Sequence, residues 1–434
     1  MKTERTGEMT MKPCLILGGG VSGRAALRLA ETLGMEAKIL SDPSPCPPEE
    51  AVARSSLIVT SPGVHPLTSP LWQAAKRRAD RGETEFLSEL EFGFRHLPQR
   101  RCIAITGTNG KTTTTELTCH LLNAAGVPAV TAGNIGVPLA DIAADMREGK
   151  LPPETLPVVE VSSFQLERAD TFAPLAAALL NLELDHINRY AGGFDEYCEV
   201  KRRIFRHVPE ENRIFGLSIP AARRVEVREG RLFADNRELI ELAATRLNAS
   251  HNRENLAAAV ELCLRILPEG GVFRQEFLEA IRSFEPGRHR LEVVAERNGI
   301  RYINDSKATN PASVLAALRT LPARRCAVLL LGGLDKGMDF TALLREKERI
   351  KFAVLYGACR DVIASVLDGE IPFVECGNDF EKAVRTAASH AAPGDTVLLS
   401  PACASMDMFR DYQERGNRFA ELVRALPAED SAVS

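Results

Sequence analysis

The residues whose types and spacing best suit chemistry follow an apolar run at 103–105 and read Gly107-Thr108-Asn109-Gly110-Lys111-Thr112-Thr113. The two glycines allow backbone N–H groups to turn toward an anion, the lysine adds a positive charge, and the hydroxyl of Thr112 suits a phosphate-bound Mg²⁺. The usual pattern has a glycine five residues before Gly110, where this chain has Ile105. The sequence therefore predicts a shortened phosphate-binding loop before a helix. A strand–helix turn without a ligand is the alternative.

Acidic and imidazole side chains follow the next predicted strands. A valine-rich strand ends at Glu160, and an apolar strand over 176–182 is followed by Asp185 and His186. Ligands of parallel sheets bind beyond the carboxyl ends of the strands, so Glu160 is expected on the same edge as the phosphate-binding loop. A carboxylate there suits Mg²⁺, while a surface or helix-capping glutamate is the alternative. The Asp-His pair suits metal binding or substrate polarisation, and a structural histidine is equally compatible.

Two predicted helices carry further polar residues. One, over 194–206, carries Lys201, to which spacing alone gives no special role. Another begins near His251 and places Asn252 and Asn255 three residues apart, on one helix face. These amides could contact a base edge, or Asn252 could cap the helix.

The N-terminal part contains a second glycine-rich turn. Residues 15–17 form an apolar run that meets Gly18-Gly-Gly-Val-Ser-Gly23, and a later strand ends at Ser41-Asp42. A G-x-G-x-x-G turn in a βαβ setting is compatible with NAD, with another diphosphate, or with a tight turn that packs helix on strand without a ligand.

Polar loops also follow predicted strands in the last third of the chain, at 304–310, 332–337 and 400–405. Alternating strands and helices predict a parallel sheet whose strand ends form one polar edge. A basic, proline-containing segment at 96–101 and the sequence at 284–287 predict the boundaries of three α/β domains, 1–97, 98–287 and 288–434. Polar strand ends in all three favour a site between domains.

Composition narrows the class of protein. The net charge of −4 does not favour nucleic-acid binding, and ten cysteines without a C-x-x-C pair fit a reducing compartment better than a disulfide or zinc framework. The chain shows neither a signal-peptide pattern nor an apolar run of about 18 residues. We therefore predict a soluble, cytoplasmic protein with no nucleic-acid or membrane partner.

Taken together, these motifs resemble the Mur ligase family, the ATP-dependent amide ligases of cell-wall precursor synthesis, over nearly the whole chain. The motifs that carry the resemblance are Gly107–Thr113, Glu160–Ser163, Asp185-His186, the Lys201 helix, His251-Asn252-x-x-Asn255, His289-Arg290 and Asp305–Asn310. Within the family, Asp305–Asn310, Gly332-Gly333-x-x-Lys336-Gly337 and Ser400–Ser405 resemble the members that add D-glutamate to UDP-N-acetylmuramoyl-L-alanine. Asn188 departs from the pattern, because an aspartate often stands there.

The resemblance implies an N-terminal Rossmann-like UDP-substrate domain, a central ATPase domain with a mostly parallel sheet, and a C-terminal Rossmann-like amino-acid domain. It also implies binding residues for each ligand. The UDP substrate would be held by Val21, Ser22, Ser41, Asp42 and Asn134, with His186 close to its muramoyl-alanine part. ATP would be held by Gly107, Thr108, Asn109, Gly110, Lys111, Thr112, Thr113, Asn255, Arg290 and Asp305. D-Glutamate would be held by Lys307, Thr309, Lys336, Ser405, Met406 and Tyr412.

The resemblance further implies two Mg²⁺ ions and an acyl-phosphate intermediate. Thr112 and Glu160 would help to bind one ion, and His186 with a carbamylated Lys201 would hold the other. Lys111, His186 and Lys201 are thus the implied catalytic residues, and a monomer is expected by analogy. The alternatives are a sister ligase that adds another amino acid, a folylpolyglutamate-synthase-like ligase, a nucleotide-gated regulatory protein and an NAD-dependent oxidoreductase.

Overall fold

The computed structural model describes residues 13–185, 189–248, 250–335 and 337–426. Within them the chain forms two compact units. The first contains the described residues up to Leu182 together with Arg189–Asn248 and Asn252–Phe284. The second begins at Glu285 and also takes in residues 183–185 and 250–251. No helix of the described residues has the length and hydropathy needed to cross a membrane.

The first sheet of the first unit has four parallel strands in the order β2-β1-β3-β4. Its strands are β1 (Cys14–Leu17), β2 (Ala37–Leu40), β3 (Leu57–Thr60) and β4 (Glu85–Ser88). Its helices are α1 (Val21–Thr32), α2 (Pro48–Ala53), α3 (Pro70–Asp80) and α4 (Glu89–His96). β1 and β3 are buried along their whole length, which is typical of strands covered by helices on both faces.

The second sheet has five parallel strands in the order β6-β7-β5-β8-β9. Its strands are β5 (Ile103–Thr106), β6 (Ala129–Gly133), β7 (Leu156–Glu160), β8 (Ala176–Leu179) and β9 (Arg213–Phe215). The helices that accompany it are α5 (Lys111–Ala124), α6 (Leu139–Arg147), α7 (Ser163–Leu166) and α8 (Gly193–Arg202). Because β5 lies between β7 and β8, the loops that follow these three strands lie side by side.

The two sheets of the first unit are joined by helix packing. Arg28 of α1 pairs with Asp141 at 3.1 Å and with Asp145 at 2.6 Å, both on α6. Gly93 of α4 lies so close to α6 that an added Cβ would stand 2.6 Å from the backbone nitrogen of Ala140. The strand ends of both sheets are therefore held in one body.

The first unit ends with a small antiparallel sheet and two helices. The sheet contains β10 (Val225–Arg228), β11 (Arg231–Ala234) and β12 (Arg237–Glu241), and the helices are α9 (Ser250–Leu264) and α10 (Gln275–Ser283). The antiparallel sheet was not predicted from the sequence.

The second unit is built on a six-stranded sheet in the order β13-β14-β18-β15-β16-β17. Its strands are β13 (Glu292–Arg297), β14 (Ile300–Asn304), β15 (Ala327–Gly332), β16 (Ile350–Tyr356), β17 (Phe373–Glu375) and β18 (Thr396–Leu399). Its helices are α11 (Pro311–Arg319), α12 (Arg360–Leu367), α13 (Phe380–His390) and α14 (Tyr412–Ala425). Along β15, alternate side chains pack into cores on opposite faces of the sheet.

These parallel sheets confirm the predicted α/β class. One detail of the prediction is wrong: β13 pairs antiparallel with β14, because a tight turn at Asn298-Gly299 joins them, so the last sheet is not wholly parallel. The division at 97/98 and 287/288 stays a prediction.

Candidate active site

The segment Gly107–Thr113, hereafter the phosphate loop, connects β5 to α5. Gly110 has φ +82°, and a Cβ added to it would stand 2.2 Å from Oδ1 of Asn255. Glycine is therefore required at this position by both backbone conformation and space. Among the described residues no side chain caps the N-terminus of α5. Backbone N–H groups at such a terminus suit an anion.

Two lysines converge on the carbonyls of the phosphate loop. Nζ of Lys111 donates to the carbonyl oxygens of Gly107 at 2.9 Å and Thr108 at 2.8 Å. Nζ of Lys201, which is only 2% exposed, donates to the same oxygen of Gly107 at 2.8 Å. The structure thus brings Lys201, whose spacing gave it no role, against the loop, and two ammonium groups make this strand end positively charged.

Glu160 lies at the end of the neighbouring strand β7. It pairs with Ile105 of β5 in the sheet register and is 1% exposed. Its Oε1 accepts a hydrogen bond from Nδ2 of Asn134 at 2.7 Å, whereas its Oε2 is buried without a hydrogen-bond partner among the described residues. A buried carboxylate oxygen without a donor is costly, so this atom suits a cation ligand.

The donor set fits Mg²⁺ bound together with nucleotide. No group of three or more His, Cys, Asp or Glu side chains able to hold a metal occurs among the described residues. Mg²⁺ commonly takes only one or two protein carboxylates and completes its shell with phosphate oxygens and water. Glu160 and the buried Thr112 carry oxygen donors of the kind that such a partial shell requires. His186, which was predicted to hold a second ion together with Lys201, lies outside the described residues, as do Asn188 and Lys336.

Asn255 lies against the start of α5. Its Oδ1 accepts a hydrogen bond from Oγ1 of Thr114 at 3.3 Å, and its Nδ2 donates to Oδ1 of Asn252 at 3.4 Å. The two asparagines therefore share one face of α9 beside the phosphate loop. Tyr197 of α8 contacts the loop from another direction, with its hydroxyl 2.9 Å from Oγ1 of Thr108.

A cavity of about 290 Å³ opens at the carboxyl end of the first sheet. Its polar lining includes Ser41, Asp42, His65 and Ser69. Asp42 accepts hydrogen bonds from the Ser69 hydroxyl and, at 3.4 Å, from the backbone N–H of Leu71. Burial, followed by the guanidinium of Arg189, lowers the pKa of His65.

Of the four residues predicted to hold the uridine and diphosphate end, Ser41 and Asp42 line this cavity. The other two, Val21 and Ser22, lie in the first turn of α1 and are not part of its lining; Val21 is exposed. Arg189 connects the cavity wall to the segment after β7. It donates to the carbonyl oxygen of Val64 at 3.1 Å and pairs with Glu167 at 2.6 Å.

In the second unit, Asp305 follows β14 and is almost fully buried. Its Oδ2 accepts from the hydroxyl of Ser400 at 2.9 Å, and its Oδ1 accepts from the backbone N–H of Leu291 at 3.3 Å. Burial raises the pKa of Asp305 to about 7; the hydrogen bonds and the charge of Arg290 oppose this only in part. A carboxyl in this state carries a proton for part of the time at neutral pH.

The described residues that were predicted to receive D-glutamate follow β14 and β18. Nζ of Lys307 lies 3.9 Å from the centre of the Tyr412 ring. Ser405 is buried and Met406 is 64% exposed, while Thr309 is half-buried.

Sequence reasoning missed the residue that holds these loops together. Arg415 is fully buried on α14 and donates to the carbonyl oxygens of Ser306 at 2.8 Å and Cys403 at 3.1 Å. Nothing in its local sequence indicated this role, because both partners lie in distant loops.

Two family profiles match the chain: the Mur ligase middle domain over residues 105–231 and the Mur ligase, glutamate ligase domain over residues 289–403. A UDP-N-acetylmuramoylalanine–D-glutamate ligase of Frankia casuarinae is 39% identical over 95% of this chain and 94% of the relative. The enzyme of the same name from Aromatoleum aromaticum is 38% identical, and the match covers 96% of this chain and 98% of that enzyme.

A solved structure, the UDP-N-acetylmuramate–alanine ligase of Thermotoga maritima, resembles the fold with a TM-score of 0.58. It is 16% identical, and the match covers 96% of this chain and all of that one. At that identity the likeness concerns the fold alone, whereas the curated relatives match almost the whole chain at 38–39% identity. The chain therefore belongs to the Mur ligase family.

Proposed function

We propose that this protein uses ATP to join D-glutamate to UDP-N-acetylmuramoyl-L-alanine, in peptidoglycan precursor synthesis. Its near full-length similarity to ligases named for that reaction supports this choice of substrates. The structural observation that carries the proposal is the phosphate loop, with Lys111 and Lys201 on one carbonyl, beside the strand that ends at Glu160, whose Oε2 has no hydrogen-bond partner among the described residues.

The chemistry requires activation of a carboxylate, which is a poor electrophile at neutral pH. In the first step, an oxygen of the L-alanine carboxylate attacks the γ-phosphorus of ATP, the bond to the bridging oxygen breaks, and ADP leaves. In the second step, the amine of D-glutamate attacks the acyl carbon, loses a proton and expels phosphate. One amide, one ADP and one phosphate result from each turnover.

Positive charge at the phosphate loop would favour the first step. Both reactants are anions, so the barrier falls if fixed positive charge lies where they meet. We assign the phosphates to the ammonium of Lys111 and the N–H groups at the start of α5. Mg²⁺, when bound, neutralises phosphate charge and fixes the geometry of phosphoryl transfer.

We assign one Mg²⁺ site to Thr112 and Glu160 and a second to His186 and a carbamylated Lys201. Carbamylation adds CO₂ to the neutral amine of Lys201 and releases a proton, which converts an ammonium into a carboxylate-like metal ligand. The carbamate nitrogen keeps one N–H, which is the single donor left for the carbonyl of Gly107. His186 is also our candidate for aiding deprotonation of the amine.

The remaining ligands are assigned to the other strand ends. The cavity with Ser41 and Asp42 would take the uridine and diphosphate end, and Asn134, held by Glu160, would contact the muramoyl-alanine part. Arg290, Asp305 and Asn255 would contact ATP. The D-glutamate carboxylates would be met by Lys307, Lys336, Thr309 and Ser405, with Met406 and Tyr412 beside them.

In these assignments residues 1–97 take the UDP substrate, residues 98–287 chiefly ATP and residues 288–434 chiefly the amino acid; Asn134, Arg290 and Asp305 are the exceptions. A cytoplasmic location, a monomeric state and the lack of nucleic-acid and membrane partners remain predictions from sequence.

Phosphate release with product analysis by mass spectrometry tests the proposed function. We expect phosphate and one new amide only when ATP, UDP-N-acetylmuramoyl-L-alanine and D-glutamate are all present. Product formed with a different amino acid would instead identify a sister ligase. Steady ATP hydrolysis without either co-substrate would favour a regulatory ATPase.

A further inference from the structure

The side chain of Asn181 contacts the centre of the phosphate loop. Its Oδ1 accepts the backbone N–H of Asn109 at 2.8 Å, and its Nδ2 donates to the backbone carbonyl oxygen of Asn109 at 3.2 Å. A primary amide offers one acceptor and two donors, so it can satisfy both polar groups of one residue's backbone at once. The two residues that share these bonds are 72 positions apart in the sequence.

The backbone around Asn181 extends the sheet beneath the loop. The N–H of Leu180 donates to the carbonyl oxygen of Thr106 at 2.9 Å. The N–H of Thr108 donates to the backbone carbonyl oxygen of Asn181 at 3.0 Å. These bonds continue the β5–β8 pairing past the last residues of both strands. The approach is close, because a Cβ on Gly107 would stand 3.0 Å from Cβ of Leu180.

The contact determines which backbone groups of the loop can meet phosphate. Since the N–H of Asn109 already donates to Asn181, anion binding is left to the N–H groups at the start of α5 and to Lys111. It also holds the peptide before Gly110 in one orientation in the absence of ligand. Binding groups that are ordered beforehand lose less entropy when the ligand arrives.

We propose that Asn181 is a positioning residue for the phosphate loop: it holds the Asn109 backbone so that the loop is ordered for the phosphates of ATP before the nucleotide binds. The inference rests on the proposed function only in taking an adenine nucleotide as the ligand. It assigns no contact between Asn181 and the nucleotide itself.

Replacement of Asn181 by alanine tests the inference, with Asn212→Ala as the matched control. Asn212 is also half-buried, and its Nδ2 donates at 2.9 Å to the carbonyl oxygen of Leu175, just before the opposite end of β8. Each variant thus removes side-chain hydrogen bonding from one end of the same strand. Calorimetric titration with ADP and with adenosine separates phosphate binding from base binding.

We expect Asn181→Ala to raise the Kd for ADP about tenfold, the equivalent of about 1.4 kcal/mol, and to leave the Kd for adenosine within twofold. Asn212→Ala should leave the Kd values for ADP and adenosine unchanged. Its loss of thermal stability should be similar to that of Asn181→Ala. Equal ADP affinity in wild type and Asn181→Ala would overturn the inference. Equal weakening of ADP and adenosine would also overturn it, because it would show a general structural role.

A second measurement needs no variant. In protein labelled with ¹⁵N-asparagine, the Asn109 amide should be protected from hydrogen exchange without nucleotide, and protection should barely change when ADP binds. Exchange as fast as in an open loop, or protection that appears only with ADP, would contradict the inference. The two tests measure nucleotide binding and amide protection and do not depend on ligation, so loss of ligation by wild type would count against the proposed function and not against this role of Asn181.

Discussion

The first unit contains two glycine-rich turns with the same local design and different surroundings. The Gly18–Gly23 turn connects β1 to α1, the phosphate loop connects β5 to α5, and in both cases no described side chain caps the helix. Neither tolerates bulk: a Cβ on Gly23 would stand 1.8 Å from the carbonyl oxygen of Gly18, and one on Gly110 would stand 2.2 Å from Asn255.

The two turns differ in the charge beside them. At the first, the exposed side chain of Arg24 donates to the carbonyl of Gly19 at 2.6 Å, and the neighbouring cavity is lined by Ser41 and Asp42. At the second, the cations are the half-buried Lys111 and the buried Lys201. The glycine pattern thus specifies a turn, whereas the groups packed behind it decide whether phosphoryl chemistry can follow.

The largest difference is expected from removing one cation at each turn. Lys111→Ala should lower kcat for ligation at least about a thousandfold, roughly 4 kcal/mol of transition-state stabilisation, while affinity for the UDP substrate is kept. The matched change at the first turn, Arg24→Ala, should leave kcat within twofold. Steady-state phosphate release and calorimetry give both values. A Lys111→Ala enzyme with near-normal turnover would refute the distinction.

Lys201, the second cation beside the phosphate loop, extends the comparison because its proposed role requires carbamylation. Lys201→Ala should slow acyl-phosphate formation about a hundredfold, close to 3 kcal/mol. Depletion of bicarbonate should slow the wild-type enzyme reversibly and leave the variant unaffected. Rapid-quench measurement of ADP formation reports this step directly. Unchanged rates in both experiments would remove the carbamate from the mechanism.

A reciprocal pair of glycine substitutions should separate the ligands of the two turns. Gly23→Ala should weaken binding of the UDP substrate about tenfold with little effect on ADP, and Gly110→Ala should do the reverse, since each added methyl group has no room. The control is Gly20→Ala, where φ is −68° and an added Cβ would meet no atom within 4 Å. If both variants weakened the binding of both ligands equally, the turns would not have separate roles.

The smallest predicted effect concerns the second unit, where the buried carboxyl of Asp305 directly follows β14. The pKa of Asp305 is raised to about 7, so folding favours its protonated form. That stabilisation is complete below about pH 4 and is lost as the pH rises through about 7. The thermal midpoint of wild type should therefore fall relative to that of Asp305→Asn, by a few degrees between pH 5 and 8. Calorimetry that shows a constant difference would contradict the raised pKa.

The sequence was a good guide where structure depends on neighbouring residues. The apolar runs at 15–17 and 103–105 lie in strands β1 and β5, and the phosphate loop follows its strand as expected, because glycine positions and apolar runs are local signals. The antiparallel strands between Val225 and Glu241 were missed because they are only four or five residues long, although Val225–Arg228 alternate apolar and charged side chains.

The groups that hold the candidate site in place were the least predictable. Asn181 reaches the phosphate loop across 72 residues, and Arg415 reaches Ser306 across 109. An asparagine after a strand or an arginine on a helix is ordinary in sequence, and only the folded chain shows what each contacts. Lys201 was recognised only through the family resemblance, for the same reason.

Transfer of the phosphoryl group onto the substrate carboxylate is the central claim, and isotope tracing tests it most directly. UDP-N-acetylmuramoyl-L-alanine would be prepared with ¹⁸O in both oxygens of its alanine carboxylate and converted with unlabelled ATP and D-glutamate. The acyl-phosphate route predicts one ¹⁸O atom in each phosphate released and one in each amide formed. Release of phosphate without ¹⁸O, alongside normal amide formation, would contradict the account.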